Sequence, residues 1–169
     1  GSHSCGIAEP GVAYCWGSGL DGEIGNDTIG ESYLPVKVGG IPAVVEIASG
    51  DNHSCALTED GSLWCWGDNR HGELGKGDTL SVRHPIAVAP GITFRAIALT
   101  GHATCGLTPE GKLFCWGLDD GGALGYTGRT ACEEPVTVAN WCETAPRRTA
   151  EKLLFSQVAG GKRPDATVD

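Results

Sequence analysis

Apolar residues along this chain come in short runs separated by polar, glycine-bearing turns. The clearest stretch is His53-Ser54-Cys55-Ala56-Leu57, then Thr58-Glu59-Asp60-Gly61, then Ser62-Leu63-Trp64-Cys65-Trp66. Runs of this length bounded by turn residues predict strands, and Asp-Gly between them predicts a tight hairpin with its positive φ. Alternation within the second run sets Leu63 and Cys65 on one face and Trp64 and Trp66 on the other. Both faces are apolar, so the sheet needs neighbours on both sides. Further on, Pro-led apolar stretches (Pro35-Val36-Lys37-Val38, Pro85-Ile86-Ala87-Val88, Pro135-Val136-Thr137-Val138) predict strands that start at the proline, where its missing N–H costs least. Val44-Val45-Glu46-Ile47-Ala48, Phe94-Arg95-Ala96-Ile97-Ala98 and Phe155-Ser156-Gln157-Val158-Ala159 predict one more strand before each next hairpin. No segment has a convincing helical period.

The pattern recurs at intervals of fifty. Cys5, Cys55 and Cys105 keep this pitch, as do Cys15, Cys65 and Cys115. So do Trp16, Trp66 and Trp116, and the glycines at 17, 67 and 117, at 22, 72 and 122, and at 25, 75 and 125. A fixed period of this length signals stacked supersecondary units. The expected units are 1–50, 51–100, 101–161 with an insert, and 162–169 as the start of an incomplete fourth. Pairing about each turn sets Cys5 opposite Cys15, Cys55 opposite Cys65 and Cys105 opposite Cys115, within disulfide reach. Cys132 and Cys142 bracket the insert and predict a fourth local bridge.

The segments HSCALTEDGSLWCWGDNRHGELG and TCGLTPEGKLFCWGLDDGGALG resemble repeats of the regulator of chromosome condensation family. The resemblance implies an all-β fold of propeller blades, each of four antiparallel strands, in a family that usually closes seven blades. The founding member is a nuclear guanine-nucleotide exchange factor that touches chromatin, and other members are photoreceptors, inhibitors or interaction modules. Paired cysteines and acidity set this chain apart from the nuclear type.

Composition narrows the function. Eight cysteines, six of them in regular pairs, point to an oxidising compartment: extracellular, cell surface or periplasmic. The net charge of −9 argues against nucleic acid and anionic membrane as partners. No apolar run is long enough to insert in a membrane, and no signal peptide is visible. Asn26-Asp27-Thr28 and Asn52-His53-Ser54 match the N-glycosylation pattern. About three units fall short of the four to eight blades a closed propeller needs, so the ring is expected to be open or completed by another chain. The expected partner is protein, including copies of this chain joined through strand edges into a ring or filament; the chain being part of a longer propeller is the equal alternative.

Candidate sites are few. Zinc is disfavoured because the cysteines flank hairpins on opposed strands rather than at short ligand spacing. His3 and His53 are expected to hydrogen-bond neighbouring backbone instead. Calcium is disfavoured at the acidic loops around Asp21, Asp68 and Asp119, where carboxylate positions drift between copies and Arg70 intrudes. No cofactor or metal is expected. No nucleophile elbow, phosphate loop or zinc-hydrolase helix is present, so no catalytic residue is assigned and the chain is read as non-enzymatic. Trp141, Arg147 and Arg148, in the third-unit insert, are the candidate binding residues. The sequence therefore predicts a structural or protein-interaction module, with carbohydrate or ligand binding through the insert and divergent nucleotide exchange as alternatives.

Overall fold

The computed structural model describes residues 1–125 and 131–137. They form three antiparallel sheets. The first holds β1 (His3–Ala8), β2 (Val12–Gly17) and β3 (Ser32–Lys37), in that order. The second holds β4 (Val44–Ser49), β5 (His53–Thr58), β6 (Leu63–Gly67) and β7 (Val82–Val88) in sequence order. The third holds β8 (Ala96–Leu99), β9 (Ala103–Leu107), β10 (Leu113–Leu118) and β11 (Ala131–Thr137), again as a simple meander. Among the described residues one 3-10 turn, Asp120–Gly122, interrupts the all-β pattern. Each sheet takes in the strand that precedes its hairpin, so β4 belongs with β5 and β8 with β9.

The central hairpins carry the cysteines in direct register: Cys5 faces Cys15, Cys55 faces Cys65 and Cys105 faces Cys115. Their Cα atoms stand 4.1, 4.1 and 4.2 Å apart, and each pair is joined by a disulfide. Closing a loop this short removes about 2.5–3 kcal/mol of freedom from the unfolded chain on the entropy model. The middle hairpin turn has the expected positive φ, at its glycine. Only Gly61 takes positive φ, at 79°, while Gly61 N–H donates to Thr58 O and Thr58 N–H to Ser62 O. This is a type I turn followed by a left-handed glycine bulge, the three-residue loop, not a two-residue turn in which Asp60 would also need positive φ. Asp60 instead accepts from the Thr58 hydroxyl and the Ser62 N–H, which hold its carboxyl below the usual range.

The proline strands start three or four residues earlier than expected, at Ser32, Val82 and Ala131. Pro35, Pro85 and Pro135 thus lie inside strands, for two reasons. Each strand is the edge of its sheet. The register also slips there: Cys15 faces Val36 but Gly17 faces Ser32, and the same bulge recurs between Cys65 and Gly67 and between Cys115 and Gly117. A bulge on an edge strand demands no donor from proline. The repeated Gly17, Gly67 and Gly117 sit at this slip with φ near 101°, and a Cβ there would come within 2.4–2.5 Å of the carbonyl of Ser2, Asn52 or His102.

The sheets stack face to face. The cysteine face of the first sheet (Ala13, Cys15) meets Ala56 and Trp66 of the second in one buried cluster. The cysteine face of the second (Cys55, Leu57, Leu63, Cys65) meets Trp116 of the third in the other. β4 touches both β1 and β8, so the strand edges opposite the proline strands converge. Three blades of a propeller result.

Candidate interaction surface

Each blade junction is built around one main-chain carbonyl. The glycines at 22 and 25 close a turn, with Gly25 N–H donating to Gly22 O at 3.0 Å; Gly72 and Gly75 do the same. The turn presents the carbonyl of the intervening glutamate to the next blade. Glu23 O accepts the Trp66 indole N–H at 2.7 Å and the Ser54 hydroxyl at 3.3 Å. Glu73 O accepts the Trp116 indole N–H at 2.9 Å and the Thr104 hydroxyl at 2.8 Å. Strand register makes this fork possible, because Ser54 pairs with Trp66 and Thr104 with Trp116 across their hairpins. The second glycine of the turn lies on the indole: a Cβ at Gly25 would stand 2.7 Å from Trp66 Nε1, and one at Gly75 2.5 Å from Trp116 Nε1.

A histidine from the preceding blade completes each node. His3 Nε2 lies 2.8 Å from Ser54 Oγ, and His53 Nε2 lies 2.9 Å from Thr104 Oγ1. The hydroxyl proton is already given to the glutamate carbonyl, so Nε2 must carry the imidazole proton and donate. Nδ1 of each ring is then the unprotonated nitrogen, buried and without a partner among the described residues. Charging it would put a cation in a dry junction. Burial accordingly lowers the pKa of both histidines, that of His53 to about 3, with His3 and His102 adding repulsion. The expected backbone bonds of His3 and His53 are replaced by these bonds to hydroxyls one blade away, because the pitch of fifty sets each ring opposite the next blade's Ser or Thr.

Further polar contacts join the apolar clusters at the junctions. Asp27 N–H donates to Arg83 O at 3.0 Å and its carboxylate meets His84 Nδ1 at 2.9 Å, so the loop of the first blade covers the β7 edge. Ile97 N–H donates to Glu46 across the second junction, and burial raises the Glu46 carboxyl. The acidic loops hold protein donors. Asp21 accepts from Asn52 Nδ2 at 2.6 Å, and Asp68 from Arg70 Nε and the Ser81 hydroxyl. Burial acts upward on Asp68, but its bonds to Arg70 prevail and hold it below the usual range.

Among the described residues two half-junctions are exposed. On the first blade Trp16 is only half-buried and Ser4 is exposed, whereas Trp66, Trp116, Ser54 and Thr104 are wholly buried. Tyr33 and Leu34 on β3, at the positions of Arg83 and His84, are 87 % and 74 % exposed. On the third blade Ala123 and Gly125 are exposed, whereas Glu23, Glu73, Gly25 and Gly75 are buried. Ala123 and Ala103 replace the glutamate and the histidine of the earlier copies.

The structure joins the six hairpin cysteines in three disulfides, with all but the partly buried Cys5 in the blade cores. Cys132 lies on β11 facing Gly117; its expected bridge to Cys142, and the candidates Trp141, Arg147 and Arg148, fall outside the described residues. The junction residues Ser54, Thr104, Glu23 and Glu73 escaped the sequence reading. Their signal was present, a hydroxyl before every first cysteine and a Gly-Glu-Ile/Leu-Gly step, but its meaning lies between units rather than within one.

The regulator of chromosome condensation (RCC1) repeat model matches residues 10–57 and 60–107, together more than half of the chain, and a second model of the same repeat matches residues 44–73. The chain belongs to the RCC1 repeat family. Solved structures agree on the fold. Prp20p from Saccharomyces cerevisiae, described with its binding to Gsp1p and histones, superposes with a TM-score of 0.74 at 21 % identity, over 84 % of this chain and 37 % of that one. Human WBSCR16 gives 0.71 at 22 % identity, over 80 % and 37 %. Yeast RCC1 (Prp20) bound to Kap60 gives 0.67 at 26 % identity, over 80 % and 35 %. The RCC1-type chain described here thus spans little more than a third of the length of these propellers. None of the curated proteins compared with it matches.

Proposed function

We propose that this RCC1-type chain is a non-enzymatic protein-interaction module whose two exposed half-junctions each take a further blade. The observation that carries the reading is the inequality of Trp16 with Trp66 and Trp116: the same residue, in the same register, is sealed twice and half-open once. An incoming blade would bring a Gly-x-Leu-Gly turn whose carbonyl takes the Trp16 indole N–H and the Ser4 hydroxyl. Residues 122–125 of a second copy have that sequence, Gly-Ala-Leu-Gly. Head-to-tail pairing of copies therefore closes a ring or extends a filament; in a longer polypeptide the same faces meet neighbouring blades. Three disulfides support an address in an oxidising compartment, outside the cell or in a periplasm.

Light scattering across a concentration series tests self-assembly. The mass should rise above the 17.5 kDa of one chain, and Trp16→Ala should return it to one chain. A single-chain mass at every concentration would overturn assembly of copies and leave the open faces to further blades of a longer polypeptide.

A further inference from the structure

We propose that Asp120 is a site of spontaneous main-chain modification, where its carboxyl closes on the Gly121 nitrogen and the ring reopens with water to an isoaspartyl linkage. The chain contains three Asp-Gly steps, at Asp21, Asp60 and Asp120. Glycine leaves the attacking nitrogen uncrowded, so each step has the chemistry for this reaction. The fold blocks two of them. Gly22 is buried, its N–H donates to Gly19 O at 3.2 Å, and the Asp21 carboxylate accepts from Asn52 Nδ2 at 2.6 Å. Gly61 N–H donates to Thr58 O at 2.9 Å, and the Asp60 carboxylate is held by Thr58 and Ser62.

The third step is free for a reason visible between blades. Residues 21, 71 and 121 share one loop position. In the first two blades the glutamate two residues on takes the N–H there: Asp21 N–H donates to Glu23 Oε2 and His71 N–H to Glu73 Oε2, both at 2.8 Å. The third blade has Ala123 in place of the glutamate, and the Gly121 N–H has no acceptor among the described residues. Asp120 and Gly121 are exposed, and a Cβ built at Gly121 would meet nothing within 4 Å. Gly121 and Gly122 both take positive φ, 61° and 81°. The turn closes through Ala123 N–H donating to Asp120 O at 3.2 Å, whereas the earlier blades close through Gly22 N–H to Gly19 O and Gly72 N–H to Asn69 O. A short exposed turn of this kind opens locally at low cost, and the Asp120 side chain then reaches the nitrogen. The Gly121 nitrogen gives up its proton and attacks Asp120 Cγ. The N–Cγ bond forms as the carboxyl loses its hydroxyl, and proton and hydroxyl leave as water. Water then adds at the Asp120 main-chain carbonyl carbon and breaks its bond to nitrogen. The chain now runs through Cγ, one methylene longer and unchanged in mass. On the reading given above, in which the third blade docks through the turn at 122–125, that methylene displaces the docking turn and ages this face; the modification itself does not depend on that reading.

The test holds the intact chain, disulfides closed, in warm neutral buffer and samples it over weeks. Isoaspartate is counted by enzymatic methyl transfer to its free α-carboxylate and located by peptide mapping. Conversion at Asp120 should run at least about fivefold faster than at Asp21 or Asp60. In the reduced, denatured chain the three rates should converge. Asp120→Glu, whose longer side chain can close only a less favoured six-membered ring, should abolish the signal at this step. Ala123→Glu restores the acceptor that the first two blades have and should slow conversion severalfold, with the Trp116 indole resonance showing that the blade stays folded. Isoaspartate appearing first at Asp21 or Asp60 in the folded chain would overturn the proposal. So would its absence at Asp120 while the denatured chain converts, a signal retained in Asp120→Glu, or a rate untouched by Ala123→Glu.

Discussion

Trp16 and Trp66 hold the same position in consecutive blades, yet Trp66 is fully buried and Trp16 is not. The difference lies in what stands opposite. Trp66 rests on Gly25 and donates to Glu23 O, while the face around Trp16 meets no turn of that kind among the described residues. The residues that look like core in one blade are therefore interface in another. In a repeat protein the two are one chemistry, since every blade is packed by its neighbour rather than by itself.

The widest separation between the two tryptophans should appear on truncation. Trp66→Ala removes a buried indole and leaves the Glu23 carbonyl with the Ser54 hydroxyl alone, and is expected to cost about 3–5 kcal/mol in denaturant unfolding. Trp16→Ala should cost well under half of that. Equal losses would mean that the first face is sealed like the second. The glycines give the next contrast. Gly75→Ala combines positive φ (69°) with a Cβ set 2.5 Å from the Trp116 indole, for about 3 kcal/mol. Gly125→Ala has a similar φ of 80° on an exposed turn and should lose only about 1–2 kcal/mol.

A smaller contrast is set by pH. His53 is neutral in the fold with its pKa lowered to about 3, so the unfolded chain binds the proton first. Stability is therefore full above pH 6.5 and falls as the solution is acidified, by about 1.4 kcal/mol per pH unit toward pH 3. His53→Gln should flatten the fall between pH 6.5 and 4 by about that slope, measured by thermal unfolding at each pH. An unchanged slope in the variant would show that His53 is not held neutral. The third blade, with Ala103 at this position, makes no such contribution.

Legibility in the sequence followed how local each determinant is. The hairpins, their cysteine register and the opposed Trp and Cys faces were readable because turn and strands lie within about a dozen residues. The proline strands were misplaced because their bulge depends on pairing with Gly17 or Gly67, more than a dozen residues away. The histidines were assigned to backbone because their hydroxyl partners stand 51 residues on, in another sheet. The main-chain carbonyl that organises each junction is marked only by the Gly-Glu-Ile/Leu-Gly step around it, which does not name its partner in the next blade. What a single unit does to itself can be read from its own residues, whereas what it does to its neighbour requires two units side by side.

Hydrogen exchange of the three indole N–H groups, resolved by NMR in the intact chain, tests the shared-junction account most directly. Trp66 and Trp116 should exchange slowly at any concentration, and Trp16 rapidly in dilute solution but slowly once a further blade is bound. Equal protection of all three in a dilute, single-chain sample would contradict it.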